Sequence, residues 1–314
     1  TFKMVSKIKY YKNFDVHKKH KNSIILIGNF DGVHLGHQKL FKRARQYRKK
    51  FKCKIGVITF TPMPKMFFNK KLKHFKLMNL SQKIKQFEKQ KVDFLINQKF
   101  SKSFSKIRPE LFIKNYLYKK IKTKVLFVSS NFRFGNKRQG DTKLLKYYEK
   151  QCNYKLIIPS PLKKNHKIIS STKIRILLSK GNLKKANDFL SRKWEIEGNV
   201  QKGRRVGGKI GFATCNIDID DYIIAKPGVY SVKVKMDKMK KKINGIANLG
   251  FRPTFNQNKI LLEVNLFNFN RNIYNKKLGV EFIKFIRSEK KFKSIKQLTN
   301  QIKKDIRVAK KSLN

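Results

Sequence analysis

The stretch Ser23-Ile-Ile-Leu-Ile-Gly-Asn-Phe-Asp-Gly-Val-His-Leu-Gly-His-Gln38 constrains this chain more than any other. Its unbroken apolar run, Ile24 to Ile27, reads as a strand buried on both faces of a parallel sheet. Leu40, Phe41, Ala44 and Tyr47 then recur with helical spacing, so the whole is a strand–turn–helix. The turn carries Gly28, Asn29, Asp31, Gly32 and Gly36. Glycine lets a backbone approach a ligand closely, and a helix N-terminus offers unpaired N–H groups and partial positive charge suited to phosphate. His34 and His37 stand three residues apart at the helix start, so both rings can face one side.

The βα rhythm continues through the first half. Strand-like runs occur at Ile55–Phe60, Val92–Ile96, Lys124–Val128 and Lys155–Ile158. Helical patterns occupy Ser81–Lys91, Pro109–Lys119 and Thr142–Gln151. This alternation predicts an α/β, Rossmann-like domain, with ligands at the carboxyl ends of its strands. Three further motifs fall at such ends: Thr59-Phe-Thr-Pro-Met-Pro64, Asn131-Phe-Arg-Phe-Gly-Asn-Lys-Arg-Gln-Gly-Asp141 and Ile169-Ser-Ser-Thr-Lys-Ile-Arg175. In the last, hydroxyls at a helix start either cap it or bind phosphate, and Arg175 adds a fork of donors one turn later.

After a short helix at Leu183–Leu190 the pattern changes to period 2, at Tyr230–Met236, Asn244–Leu249, Ile260–Phe267 and Gly279–Ile286. Short strands separated by Gly and Pro predict a small antiparallel β-barrel. A C-terminal amphipathic helix follows, with Ile295, Leu298, Ile302, Ile306 and Ala309 on one face. The expected domains are 1–187 and 188–314, with the boundary near Asp188.

Composition narrows the class. The chain has 314 residues, 40% of them hydrophobic, enough for two cores. Cys53, Cys152 and Cys215 have unrelated spacings, which argues against a disulfide framework or a zinc site. No apolar run approaches membrane-spanning length and the first residues show no secretory leader, so the expectation is a soluble cytoplasmic protein with no membrane partner. The net charge of +60 invites a nucleic-acid reading. Yet the lysines run through the whole chain beside abundant Asn, Ile and Phe, a pattern of compositional drift with no localised patch, so no specific nucleic-acid partner is expected.

Taken together, G-N-F-D-G-V-H-L-G-H resembles the H-x-G-H signature of nucleotidyltransferases and, in this longer form, the adenylyltransferase module of bacterial bifunctional riboflavin kinase/FAD synthetases. The loop at Asn131 is similar to that family's [ND]-F-x-F-G-x-x-x-x-G-D. Thr59–Pro64 is a partial match to T-F-x-P-x-P, with Thr61 and Met63 where the family usually has an acid and a histidine. The second half resembles the riboflavin kinase module in order: Gly198-Asn-Val-x-x-Gly203, Gly211-Phe-Ala-Thr-Cys-Asn216, Pro227-Gly-Val-Tyr230, Asn248-Leu-Gly-Phe-Arg-Pro-Thr-Phe255, Leu262-Glu-Val264 and Arg287-Ser-Glu-Lys-Lys-Phe292.

The resemblance implies a division of labour. His34 and His37 would act in adenylyl transfer, with Gly28, Asn29, Asp31, Gly36, Ser171, Thr172 and Arg175 binding ATP phosphates. Asn131 would contact nucleotide or flavin. In the barrel, Thr214 and Asn216 would bind Mg2+ and ATP phosphates, Gly203 and Lys209 would contact ATP, Glu263 would be the base, and Arg287 and Phe292 would border the flavin. Riboflavin, FMN and ATP are the implied substrates, and FMN and FAD the products. Ala213 and Cys215 replace the proline and alanine of the family's P-T-A-N, Gly208 replaces a basic residue and Ser129 a glycine. Two alternatives stay open: a barrel that binds flavin without kinase activity, and a nucleic-acid-binding protein on a nucleotidyltransferase scaffold.

Overall fold

The structure is a computed structural model and describes residues 7–164, 167–201, 212, 214–219, 221–236, 239, 241–253, 258–269 and 271–314. The chain forms two compact units: residues 1–73 with 80–170, and residues 74–79 with 171–314.

The first unit is built on six parallel strands: β1 (Lys9–Tyr11), β2 (Ile24–Ile27), β3 (Ile55–Thr61), β4 (Phe94–Lys99), β5 (Val125–Phe127) and β6 (Lys155–Ile157). Their order is β1-β4-β3-β2-β5-β6, and a short antiparallel pair, β7 (Lys163–Lys164) and β8 (Lys167–Ile168), follows in the chain. Ile24, Ile25 and Leu26 have no exposed surface, as a strand covered on both faces requires. Helix α1 (Leu35–Phe51) packs Phe41 against Phe30 and Phe87, with ring centroids 5.3 and 5.7 Å away. β2 to β6 overlap their expected runs, β4 ending three residues beyond the expected Ile96, and β1 was not expected. The expected helix at Pro109–Lys119 is instead one α turn, Pro109–Leu111, running into a π-helix at Phe112–Lys120. The wider turn puts Phe112, Ile113 and Leu117 on one buried face.

The second unit holds a closed antiparallel barrel, β10-β13-β12-β11-β14-β9. Its strands are β9 (Glu195–Gln201), β10 (Cys215–Asp218), β11 (Gly228–Met236), β12 (Ile243–Pro253), β13 (Asn258–Leu266) and β14 (Lys277–Arg287). Closure leaves no sheet edge to protect. The buried Phe282 ring packs against Trp194 and Tyr230, with ring centroids 4.8 and 5.0 Å away. The C-terminal helix, Ile295–Leu313, lays Ile306 and Ala309 on Val229 and Ile246. Ile295, expected on that apolar face, is 69% exposed because the first turn projects past the barrel's cover.

A further stretch had no sequence signal. His74–Asn79 runs as a strap along the barrel unit. Phe75 and Lys76 both donate backbone N–H to the Asp221 carbonyl, Ile223 N–H donates to the Lys76 carbonyl, and Trp194 Nε1 donates to the Leu77 carbonyl at 3.0 Å.

Gly56 in β3 pairs in register with Phe94 in β4, and the fully buried Phe94 ring covers the glycine. A Cβ at residue 56 would lie 2.1 Å from Phe94 Cζ. Gly56→Ala is therefore expected to cost about 1–3 kcal/mol, the usual range for overpacking. Urea denaturation followed by circular dichroism should show a lower midpoint than wild type.

Candidate active sites

The sheet order reverses between β2 and β5, its topological switch point, and ligands of open α/β sheets lie at the strand carboxyl ends there. Residues 28–34 leave β2 at this point, and Ser129–Asn131 follow the end of β5. The β2 loop is tightly wound: Phe30 and Val33 have φ of 46° and 36°, and Gly32 has φ of 82°. Left-handed backbone at two bulky residues is costly and concentrates at functional loops. Gly28 N–H donates to the Ile58 carbonyl and Gln38 Nε2 to the Val33 carbonyl, holding both ends of the turn.

His34 is the N-cap of α1, and its ring stacks on that of His37 with centroids 3.7 Å apart and planes 23° apart. Phe30 meets His37 edge-on at 5.2 Å. A Cβ on Gly36 would lie 3.1 Å from His34 Cε1, so glycine clears the imidazole's place. The first turn of α1 has no acidic residue, leaving the positive end of the helix dipole unopposed within it. Asp31 and His34 are buried, Asn29 is exposed, and Gly28, Gly36 and His37 are partly exposed.

In the loop after β5, Asn131 is exposed and its Oδ1 accepts a 2.9 Å hydrogen bond from Ser129 Oγ. Thus the serine in place of the family's glycine orients the asparagine amide. Asp141, closing the motif, caps the next helix (Thr142–Tyr147) by accepting from Leu144 N–H at 2.9 Å. That backbone bond, with Arg133 alongside, holds its carboxyl below the usual aspartate range. Thr61 Oγ1 donates to Asn97 Oδ1 and Met63 is buried.

Ser171 and Thr172 start the helix Ser171–Ser179 in the second unit, Thr172 exposed and Ser171 partly so. Arg175 stacks on Phe75, its Cζ 3.7 Å from the ring centroid, and its Nε donates to the Phe75 carbonyl at 2.7 Å.

In the barrel, Asn216, Glu263 and Asn248 sit directly opposite one another across β10, β13 and β12. Side chains so paired share one face. The flanking Leu262 and Val264 fill the interior, which puts the polar row outside. Asn216 is 6% exposed, and its Oδ1 is buried with no hydrogen-bond partner among the described residues. A dry amide oxygen with open lone pairs suits a hard cation or a phosphate-bound one. Thr214, two residues before it, is exposed. Gly203, Gly208, Lys209 and Ala213 lie outside the described residues. Among the described residues no group of three or more His, Cys, Asp or Glu could hold a metal.

Comparison with known proteins agrees with both halves. A family model described as FAD synthetase matches residues 16–173, and one described as riboflavin kinase matches 190–313. Curated relatives named bifunctional riboflavin kinase/FMN adenylyltransferase include one from Buchnera aphidicola subsp. Schizaphis graminum, 42% identical over 95% of this chain and 96% of that protein. Another, from Haemophilus influenzae, is 38% identical over 92% and 94%.

The chain belongs to the bifunctional riboflavin kinase/FMN adenylyltransferase family.

The family's Escherichia coli K12 member is 32% identical over 90% of both chains. A crystal structure titled as a macrolide-efflux protein from Streptococcus pneumoniae superposes with a TM-score of 0.85, at 29% identity and covering 97% of this chain and 99% of that one. Among the described residues no helix is long and apolar enough to cross a membrane.

Within this family's kinase half, two residues have surroundings that the sequence did not show. Cys215 points into the barrel, and burial pushes its thiol up to about 11, so it behaves as a small apolar residue. Arg287 is bound to Asp305 of the C-terminal helix: Nε donates to both carboxylate oxygens at 3.0 and 2.9 Å, and Nη2 lies 2.7 Å from Oδ2. Its guanidinium also lies 5.8 Å from the Phe292 ring centroid. Asp305 was missed, although its spacing from Ile302 and Ala309 puts it on the buried helix face.

The Asp305 side chain is 5% exposed and that of Arg287 16%. Removing one partner should therefore approach the roughly 3–5 kcal/mol of a broken buried pair and exceed the 0–1 of a surface one. Asp305→Ala is expected to lower the unfolding midpoint reported by the fluorescence of Trp194, the chain's one tryptophan.

Proposed function

We propose that residues 188–314 phosphorylate riboflavin with ATP, giving FMN and ADP, and that residues 1–187 transfer the adenylyl group of a second ATP to FMN, giving FAD and pyrophosphate. The observation that supports this reading is that each half brings residues of its own family's motif together: stacked imidazoles at a helix N-terminus beside a sheet switch point, and a glutamate opposite a buried asparagine amide on a barrel.

In adenylyl transfer the FMN phosphate, already anionic, attacks the α-phosphorus of ATP, and the bond to pyrophosphate breaks. No proton must be removed from the nucleophile, so the protein's work is positioning and charge stabilisation. His34 and His37 donate toward the transferring phosphate. Gly28, Asn29, Asp31 and Gly36 shape the nucleotide's seat, Ser171, Thr172 and Arg175 bind its phosphates, and Asn131 contacts flavin or nucleotide.

In phosphoryl transfer Glu263 takes the proton of the ribityl 5′-hydroxyl as its oxygen attacks the γ-phosphorus and ADP departs. Asn216 and Thr214 would hold Mg2+, and a bound Mg2+ would supply neutralisation of phosphate charge. Gly203 and Lys209 contact ATP, and Phe292 with Arg287 borders the flavin, Arg287 from its anchored position on Asp305. The enzyme works in the cytoplasm on small molecules, without a specific nucleic-acid partner. Ala213 and Cys215 in the P-T-A-N turn favour, as a second reading, a barrel that binds flavin and has lost its kinase step.

Two pairs of assays test these roles. His34→Ala and His37→Ala should each lower FAD formation from FMN by at least about tenfold, the loss of a donor aimed at developing charge, while riboflavin phosphorylation persists. Near-wild-type FAD synthesis in both variants contradicts the assignment. Glu263→Gln should cut riboflavin phosphorylation by about 10²–10⁴-fold, the contribution of a general base, with FAD formation from supplied FMN unchanged. Wild-type protein that makes FAD from FMN but never FMN from riboflavin selects the second reading.

A further inference from the structure

In the expected phosphate clamp, the plane of Arg175 is held by Phe75 from two directions. The Phe75 ring covers one face of the guanidinium at 3.7 Å, close to the shortest such stacking distance, and the Phe75 carbonyl accepts from Nε at 2.7 Å. Phe75 is itself immobilised: its own N–H donates to the Asp221 carbonyl at 2.8 Å, and its neighbour Lys76 both donates to Asp221 and accepts from Ile223 N–H at 2.8 Å. Trp194 Nε1 fixes Leu77 two residues on. The strap therefore presents Phe75 as a rigid platform.

We infer that Phe75 is a positioning residue for adenylyl transfer, acting through Arg175. This rests on the reading that Arg175 binds the phosphates of ATP. A guanidinium loses rotamer freedom when it grips phosphate, and that loss weakens binding. Phe75 removes it beforehand by fixing the fork's plane, so donors meet the phosphate oxygens without reorientation. A lysine at residue 175 would still be attracted to the ring as a cation, but its ammonium has no plane for the platform to orient.

The test is steady-state FAD formation from FMN with ATP varied, on the full chain, beside riboflavin phosphorylation by the same preparation. Phe75→Ala should raise the KM for ATP in FAD formation by about three- to thirtyfold, the range for loss of a cation–π stack. At saturating ATP kcat should stay within about twofold, because the platform acts on binding. Phe75→Tyr keeps the ring and should restore the wild-type KM, whereas Phe75→Leu, which keeps bulk and carbonyl, should resemble Phe75→Ala. Arg175→Ala should raise the KM further, and adding Phe75→Ala to it should change nothing more, as two residues acting in series require.

If Phe75→Ala leaves the KM unchanged while Arg175→Ala raises it, the clamp stands and the positioning role falls. If Arg175→Ala has no effect, the reading of the clamp and the inference both fall. If Phe75→Ala slows both reactions alike and lowers the Trp194 fluorescence midpoint, the residue only staples the strap and the inference is overturned.

Discussion

The burial of Ile24–Ile27 on both faces of the sheet is the constraint on which the nucleotide site depends. A strand with no solvent-facing side must be flanked by strands and covered by helices above and below, which places β2 in the middle of a parallel sheet. Once β3 and β4 build outward on one side and β5 and β6 on the other, the connections at β2 and β5 diverge and leave a crevice at their carboxyl ends. The chain has to turn sharply out of that crevice into α1. It does so with Gly32 and with left-handed backbone at Phe30 and Val33, and the strained turn delivers His34 and His37 in a stacked pair at the helix's positive end. Backbone strain of about 1–3 kcal/mol per such residue is tolerable because the strand and the Phe30–Phe41–Phe87 cluster beneath it are fully buried.

The barrel solves a different problem. Kinase chemistry needs oxygen donors and a base held at fixed spacing, and register in a closed antiparallel sheet cannot slip without turning the interior outward. Asn216, Glu263 and Asn248 therefore keep their row as long as Leu262, Val264 and Ile217 keep theirs inside. The price is one buried amide oxygen without a partner, an arrangement that costs stability unless a ligand uses it.

Much of this was legible in the sequence because it rests on periodicity and on residue types with few uses. Continuous apolar runs marked β2 to β6, and period-2 segments marked β11 to β14. Glycines beside paired histidines marked the candidate nucleotide loop. What escaped lacks such a signature. The edge strand Lys9–Tyr11 is three residues with two exposed, and β9 (Glu195–Gln201) mixes charge, glycine and apolar residues. The strap His74–Asn79 is held mainly through backbone groups, which any sequence can supply. The positive φ of Phe30 and Val33 is imposed by the turn and is not a preference of either residue. Arg287 had motif context that suggested flavin, while its ion pair needed the fold to bring Asp305 onto the same face of the barrel.

The central claim is that one chain carries both chemistries at separate sites. The most direct measurement incubates the purified protein with riboflavin, ATP and Mg2+ and separates the flavins over time, with a parallel reaction begun from FMN. FMN should form first and FAD after it from riboflavin, and FAD with equimolar pyrophosphate should form directly from FMN. Unchanged riboflavin and unchanged FMN in a folded preparation would contradict the account.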